Sequence, residues 1–249
     1  MKRIISHMPV WIKVCCIVFL GITLVAIFAN ALMPYDPDAT ALLDRNKPPV
    51  FMGGTWDHIL GTDELGRDIF SRLLYGTRIS LGMAAVGILF GGTIGVLLGL
   101  SAGYVGGVWD RIVMALIDFQ QSIPFTLIIL LGVVVFGRSV PVLMCFIGMA
   151  KWEYYAKFIR SLVLGLKEKQ FIEAARTYHA GALRIVFKYI FPNVLPSLIV
   201  SIALSFPSVL MLESSLSFVG IGVMPPTATL GQMVGSGKNY LVTSPWVAL

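Results

Sequence analysis

Charged residues are scarce in this sequence. They make up 13% of its 249 residues, whereas 57% of the residues are hydrophobic. A soluble domain carries about a quarter charged residues. A deficit of this size indicates that lipid rather than water solvates much of the protein surface. The composition therefore predicts an integral membrane protein.

Residues that ligate metals or carry out catalysis are also few. The three cysteines, Cys15, Cys16 and Cys145, lie inside apolar runs without a CxxC pair, so we interpret them as buried thiols. The three histidines match no metal-binding spacing. The stretch 231–239 lacks two residues that a phosphate-binding loop needs, and it is predicted to be an ordinary loop. We therefore expect no catalytic residue, metal site or cofactor in this chain.

Five apolar stretches are predicted to cross the membrane. Four of them reach the roughly 20 residues that a membrane-spanning helix needs. The fourth along the chain is shorter, and it can span only if the aromatic residues after it form an interfacial belt. The first is interpreted as an uncleaved anchor, because its apolar run is too long for a signal peptide. The five are Val14–Tyr35, Ile79–Trp109, Phe119–Gly137, Ser139–Ala150 and Tyr189–Leu212.

The basic residues lie between apolar runs, where they indicate topology rather than nucleic-acid binding. Lys2, Arg3 and Lys13 precede the first span, and residues 151–188 contain eight further bases against three acids. Residues 34–78 contain five bases and seven acids. Because Lys and Arg concentrate on the cytoplasmic side, the N-terminus and residues 151–188 are predicted to be cytoplasmic, and the loop 34–78 to be external.

Glycine recurs at every fourth position through the second span. Such a track lets another helix approach closely, and close packing stabilises helix pairs in lipid. We therefore predict a helix-packing face, either within this chain or against a partner. Its members are Gly87, Gly91, Gly95, Gly99 and Gly103.

Three polar residues, Asp118, Gln120 and Gln121, open the third span. An ionisable residue at membrane depth is a functional candidate by default. Here Asp118 is expected near the cytoplasmic interface, where it caps the helix or pairs with Arg111. A structural role is therefore predicted for it.

The segment 170–192 has the pattern of two short amphipathic helices. Phe171, Ala174, Ala175 and Tyr178 share one helix face, and the same spacing recurs after Gly181 until Pro192 ends the second helix. Basic residues around the segment would also suit a helix that rests on the membrane surface. The small alanine pair favours docking into a protein groove instead.

In this segment the chain resembles the permeases of ABC importers. Glu173-Ala174-Ala175, a bend and then Pro192 resemble the EAA loop, which in that family docks on the ATPase. The family places a glycine four residues after the second alanine, where this chain has His179 and then Gly181 two residues later.

A second motif narrows the resemblance. The stretch 60–81 reads LGTDELGRDIFSRLLYGTRISL and is similar to the LGTDxxGRDxxSRxxxGxRxSL signature of the dipeptide, oligopeptide and nickel branch, in its second permease type. Leu216 to Gly222, followed by Pro225 and Pro226, also matches this branch.

The resemblance implies an all-α, polytopic transmembrane bundle. Residues 1–78 would form an anchor and an external loop, and residues 79–249 the permease core, with a coupling loop at about 165–192. The family's helix count implies a sixth helix after residue 249, so the chain is expected to be truncated. The residues expected to contact the ATPase are Glu173, Ala174, Ala175, Tyr178 and Gly181.

The resemblance also implies an assembly in the bacterial cytoplasmic membrane. A second, homologous permease and two cytoplasmic ATPases that bind ATP and magnesium would join this chain, and an external protein would deliver the solute. Peptides are the expected substrate, with nickel or a metallophore as the alternative. An ion-coupled carrier or a membrane enzyme would be expected to carry clustered intramembrane acids or broken helices, which the predicted spans lack.

Overall fold

The structure is a computed structural model that describes residues 9–248. Lys2, Arg3, His7 and Leu249 lie outside the described residues. Within them the chain folds into helices and loops, with one isolated bridge between Thr62 and Asp68. The predicted all-α class is therefore confirmed.

Nine helices are used as landmarks below. They are α1 Val10–Ile27, α2 Ile69–Val105, α3 Gly107–Gln121, α4 Phe125–Phe136, α5 Val140–Met149, α6 Trp152–Lys167, α7 Gln170–Thr177, α8 Ala182–Phe218 and α9 Leu230–Gly237. Shorter helical turns occupy Ala29–Leu32, Leu42–Asp44, Val50–Met52, Lys238–Tyr240 and Pro245–Val247.

Three helices are long and apolar enough to cross a membrane alone, namely α1, α2 and α8. Helices α3 and α4 meet the same test only as a pair, because the chain bends by 82° between them. The predicted span Phe119–Gly137 is therefore wrong as one straight helix. Pro124 explains the break, since it lacks the N–H that a continuing helix would need.

The predicted span Ser139–Ala150 is also wrong as a single crossing. Helix α5 has ten residues, or about 15 Å at 1.5 Å per residue, against a core of about 30 Å. After a short break the chain continues in α6, which belongs to the stretch 151–188 that was predicted to be a cytoplasmic segment throughout.

Helix α8 continues where the sequence predicted an end at Pro192. A π-helical turn at Val186–Ile190 precedes this proline, and the helix then runs on to Phe218 past Pro196 and Pro207. Widened turns of this kind accommodate backbone groups that a proline leaves without their usual partner.

Two further expectations are corrected. The three cysteines are exposed on the chain, because they lie on apolar helix faces that the chain itself does not cover. The stretch 231–239 is mostly helical, since α9 covers it up to Gly237. The side chain of Thr229 caps this helix by accepting a hydrogen bond from the Gln232 N–H at 3.2 Å, as N-cap threonines do.

The chain divides into two compact units. One comprises the described residues up to Gly82 and those from Ser214 onward, and the other comprises Met83–Glu213. The sequence boundary between residues 78 and 79 had assigned the stretch after Ser214 to the second part.

In the first unit, the residues of the 60–81 signature form a buried polar network. The Asp63 carboxylate accepts hydrogen bonds from the backbone N–H groups of Leu65 and Arg67, both at 2.9 Å, and from Nε of Arg67 at 2.7 Å. Asp68 caps α2, because its Oδ2 accepts from the Ser71 N–H at 2.8 Å. Its Oδ1 lies 3.0 Å from Nδ1 of His58.

Arg72 ties three segments of this unit together. Its side chain is 3% exposed, and its guanidinium donates to the carbonyl oxygen of Pro37 at 2.9 Å and to that of Pro226 at 3.4 Å. It also donates to Oε1 of Gln232 at 3.3 Å. The buried polar residues of the signature thus connect the start of α2 to the segments that contain Pro37 and Pro226.

Candidate coupling site

Helix α7 carries the Glu-Ala-Ala triplet, and its two sides differ. Ile172 and Ala175 are buried against the chain, at 0% and 8% exposure. Phe171, Ala174 and Tyr178 lie on the exposed side, as does Glu173. The prediction that Ala175 belongs to the outward docking face is therefore corrected. Ala175 packs against its own chain instead.

The bend after α7 lies at His179 and not at Gly181. His179 has a φ of 55°, in the left-handed region, whereas Gly181 has an ordinary φ of −64°. Histidine is one of the residues enriched in this conformation, and its Nδ1 lies 3.0 Å from the Thr177 carbonyl oxygen. The position where the family has glycine thus keeps a turn that glycine favours.

Helix α7 and the end of α6 contact the end of the long helix α2. The Arg176 guanidinium lies 5.8 Å from the centre of the Tyr104 ring, within the range of a cation–π contact. Lys167 donates to the Gly103 carbonyl oxygen at 3.3 Å, where a cation also complements the helix dipole. Tyr104, Lys167 and Arg176 could not be predicted as neighbours, because no spacing in the sequence links them.

The structure sets the glycine track of α2 against α5 and α6. A Cβ on Gly87 would lie 2.7 Å from Cγ2 of Ile147, and one on Gly103 would lie 2.8 Å from Cβ of Val163. Between these ends, Gly91 lies against Gly148, Gly95 against Trp152 and Tyr155, and Gly99 against Ala156 and Ile159. The break between α5 and α6 therefore does not interrupt the contact, which extends along α2 from Gly87 to Gly103.

The polar residues at the end of α3 contact α6. Lys157 donates to Oδ1 of Asp118 at 3.2 Å and to Oε1 of Gln121 at 2.6 Å. Trp152 donates to Oε1 of Gln120 at 2.6 Å. The partner of Asp118 is thus Lys157, the seventh residue of the segment 151–188 that was predicted to be cytoplasmic, and not Arg111.

A second ion pair joins the same two helices. The Arg160 guanidinium binds both carboxylate oxygens of Asp110, with Nη2 to Oδ2 at 2.6 Å. Beside it, Val113 and Ile117 of α3 pack on Ala102 and Ala156 in a buried apolar cluster. The bend between α3 and α4 corrects the expectation that the predicted spans lack broken helices.

Within residues 9–248, no group of three or more His, Cys, Asp or Glu side chains is placed to hold a metal ion.

Comparison with known proteins identifies the family. Residues 95–249 match the family described as "Binding-protein-dependent transport system inner membrane component", and residues 13–49 match the "N-terminal TM domain of oligopeptide transport permease C". The first match covers more than half of the chain.

Individual proteins that are similar to this chain support the same family. The chain is 34% identical to the nickel transport system permease protein NikC of Escherichia coli K12, over 94% of this chain and 83% of that protein. It is 35% identical to the oligopeptide transport system permease protein OppC of Bacillus subtilis, over 92% and 74%. A solved chain of the MetNI methionine ABC transporter matches with a TM-score of 0.54 and 25% identity, over 72% of this chain and 86% of that one. The chain therefore belongs to the inner membrane components of binding-protein-dependent transport systems, the permease subunits of ABC importers.

Proposed function

We propose that this chain is one of two homologous permeases in an importer of di- or oligopeptides. The match of residues 13–49 to the oligopeptide permease C domain and the similarity to OppC support peptides as the substrate. Nickel is the second candidate, because NikC is similar over a comparable length. The importer lies in the bacterial cytoplasmic membrane with the N-terminus of this chain in the cytoplasm.

Energy enters this assembly through partner subunits. Two cytoplasmic ATPases bind ATP and magnesium and hydrolyse the nucleotide, and an external binding protein delivers the solute. This chain supplies half of the membrane path and one coupling helix. Its helices rock between inward-open and outward-open arrangements as the ATPases close and reopen.

The observation that carries the coupling role is the two-sided environment of α7. Its exposed side presents an apolar strip of Phe171, Ala174 and Tyr178, a pattern that suits insertion into a protein groove. Its other side packs against the chain through Ile172 and Ala175. A displacement of the exposed strip by a partner is therefore transmitted to the rest of the chain.

The contacts of α6 and α7 with the end of α2 indicate which helix the displacement of α7 reaches first. Arg176 over Tyr104 and Lys167 on the Gly103 carbonyl connect the coupling segment to the helix that carries the glycine track. Because α2 packs closely on α5 and α6, these helices move together with it. Close-packed elements transmit displacement because they resist continuous deformation.

A substitution pair tests the coupling role. We expect Ala174→Trp to leave the amount of this chain in the membrane unchanged but to abolish both co-purification of the ATPase and solute uptake, because the indole blocks the groove contact. Ala175→Trp should instead reduce the amount of folded chain, because Ala175 is buried. Normal uptake by the Ala174→Trp importer would refute the coupling role.

An uptake experiment tests the substrate. In a strain that lacks this gene, the uptake of a radiolabelled dipeptide, a labelled tetrapeptide and ⁶³Ni²⁺ is measured before and after complementation. Peptide uptake should be lost and then restored while nickel uptake stays constant. Loss and recovery of nickel uptake alone would select the nickel importer instead.

A further inference from the structure

The turn between α2 and α3 contains two glycines. We call residues 101–110 the α2–α3 corner, because α2 ends at Val105 and α3 begins at Gly107. Gly106 and Gly107 have φ values of 70° and 60°, in the left-handed region that glycine adopts at no steric cost. Because glycine has the least restricted backbone of all residues, this turn does not fix the angle between the two helices. Contacts outside the turn must hold that angle.

The coupling segment contacts the α2 side of this corner. The Arg176 guanidinium of α7 lies 5.8 Å from the centre of the Tyr104 ring, and Lys167 at the end of α6 donates to the Gly103 carbonyl oxygen at 3.3 Å. The turn itself also lies near Lys167, since a Cβ on Gly106 would lie 3.9 Å from its Nζ. A displacement of α7 therefore acts directly on the α2–α3 corner.

Arg160 of α6 contacts both sides of the α2–α3 corner. A Cβ on Gly103 would lie 3.1 Å from the Arg160 carbonyl oxygen, so the backbone of Arg160 packs against α2. Its guanidinium binds both carboxylate oxygens of Asp110, which lies in the first turn of α3. The chain encloses most of this pair, since the side chains of Asp110 and Arg160 are 16% and 26% exposed. Arg160 therefore connects α6 both to α2 and to α3.

Apolar packing alone does not set the orientation of α3. Val113 of α3 packs with Ala102 of α2 and Ala156 of α6 in the buried apolar cluster, but hydrophobic contact is not directional. A guanidinium–carboxylate pair with two hydrogen bonds is directional, because both bonds form in only one relative orientation. Trp109 adds a hydrogen bond across the corner, from its Nε1 to Oγ of Ser101 at 3.1 Å. These polar contacts therefore fix the angle that the glycine turn leaves free.

We propose that Asp110 and Arg160 are positioning residues of the transport cycle, whose ion pair stays closed while α7 moves and makes α3 follow α2 and α6. The inference rests on the proposed coupling role of α7 and adds α3 to the helices that this role moves. Without the pair, α7 would still displace α2 and α6, but the glycine turn would absorb the displacement before it reached α3. ATP hydrolysis would then continue with fewer solute molecules imported for each ATP molecule.

The first experiment measures coupling as a ratio. The assembled importer, in proteoliposomes with loaded binding protein, imports the labelled probe whose uptake complementation restores, whether dipeptide, tetrapeptide or ⁶³Ni²⁺. ATP hydrolysis is measured in the same sample. Asp110→Asn should raise the number of ATP molecules hydrolysed per imported probe molecule by about tenfold, the factor that corresponds to one hydrogen bond between charged groups. Arg160→Lys should raise this ratio less, because lysine keeps the charge but loses the forked pair of hydrogen bonds.

The matched control removes the other ion pair between the same two helices. The side chains of Asp118 and Lys157 are 66% and 37% exposed, and exposed ion pairs contribute little. Asp118→Asn should therefore leave the ratio of ATP hydrolysed to probe imported at its wild-type value. Because this ratio does not depend on the amount of importer in the sample, it separates a coupling defect from a folding defect.

The second experiment replaces the ion pair by a covalent link. In a chain whose native cysteines are replaced, Asp110→Cys together with Arg160→Cys should raise the ratio as Asp110→Asn does. A bifunctional thiol reagent of the same length as the ion pair should then return the ratio close to that of the wild type, because the link again holds α3 on α6. A pair that only stabilised the fold would leave the ratio unchanged by cross-linking.

The outcomes separate this inference from the proposed function. Equal ratios in Asp110→Asn and Asp118→Asn would overturn the positioning role and leave the importer function intact. A cross-linked importer that no longer takes up the probe would also overturn it, because the pair would then have to open during the cycle. Normal uptake by the Ala174→Trp importer would instead refute the coupling role of α7 itself.

Discussion

A single methyl group added to the glycine track should separate two packed helices. Gly91 and Gly92 are neighbours on α2, at the same depth and with the same backbone. A Cβ on Gly91 would lie 2.9 Å from the Gly148 carbonyl carbon and closer still to its oxygen. A Cβ on Gly92 would find its nearest atoms in the Tyr155 ring, at 3.8 Å. Gly91→Ala therefore creates a backbone clash, whereas Gly92→Ala makes an ordinary contact.

The size of the effect follows from this geometry. Relief of the Gly91 clash needs a displacement of about 1 Å between α2 and α5, since neither backbone can compress. A gap of that size removes a quarter to a half of the dispersion energy of each atom pair, so about 30 pairs at ~0.15 kcal/mol lose about 1–2 kcal/mol. Gly92→Ala should have no such cost.

The free energy of unfolding measures this difference. Purified protein in mixed micelles is titrated with sodium dodecyl sulfate, and unfolding is followed by circular dichroism. We expect Gly91→Ala to be less stable than Gly92→Ala by about 1–2 kcal/mol. Equal midpoints for the two variants would show that α2 does not pack tightly on α5, and the reasoning about the track would fail.

Two further predictions concern the first unit and the topology. Arg72→Lys should lower the free energy of unfolding by about 2 kcal/mol, because a buried lysine cannot reproduce the forked hydrogen bonds; proteolysis of the purified chain measures this, and Arg78→Lys, on an exposed residue of the same helix, should behave as wild type. In a chain whose native cysteines are replaced, Thr55→Cys should react with an impermeant thiol reagent in spheroplasts, whereas Thr177→Cys should react only after lysis. The reverse pattern would invert the proposed topology.

Much of the fold class could be predicted from composition and local pattern. Scarce charge and long apolar runs indicate membrane helices, because lipid imposes the same requirement on every segment that crosses it. The bounds of these helices were less predictable. Helix α5 is too short to span, α3 and α4 bend at Pro124, and α8 continues through Pro192. Each outcome depends on whether neighbouring groups form hydrogen bonds with the backbone N–H and C=O groups that a proline or a break leaves without a helical partner.

The amino-acid sequence by itself determined the membrane class, the family motifs and the periodic glycine spacing, because these properties depend on residue type and on separation along the chain. Only the tertiary structure decided which surfaces meet. It set the glycine track against α5 and α6, turned Ala175 inward and left Ala174 outward. It also paired Asp118 with Lys157, 39 residues away in the chain. Such contacts depend on the relative rotation and height of separate helices, which local periodicity does not specify.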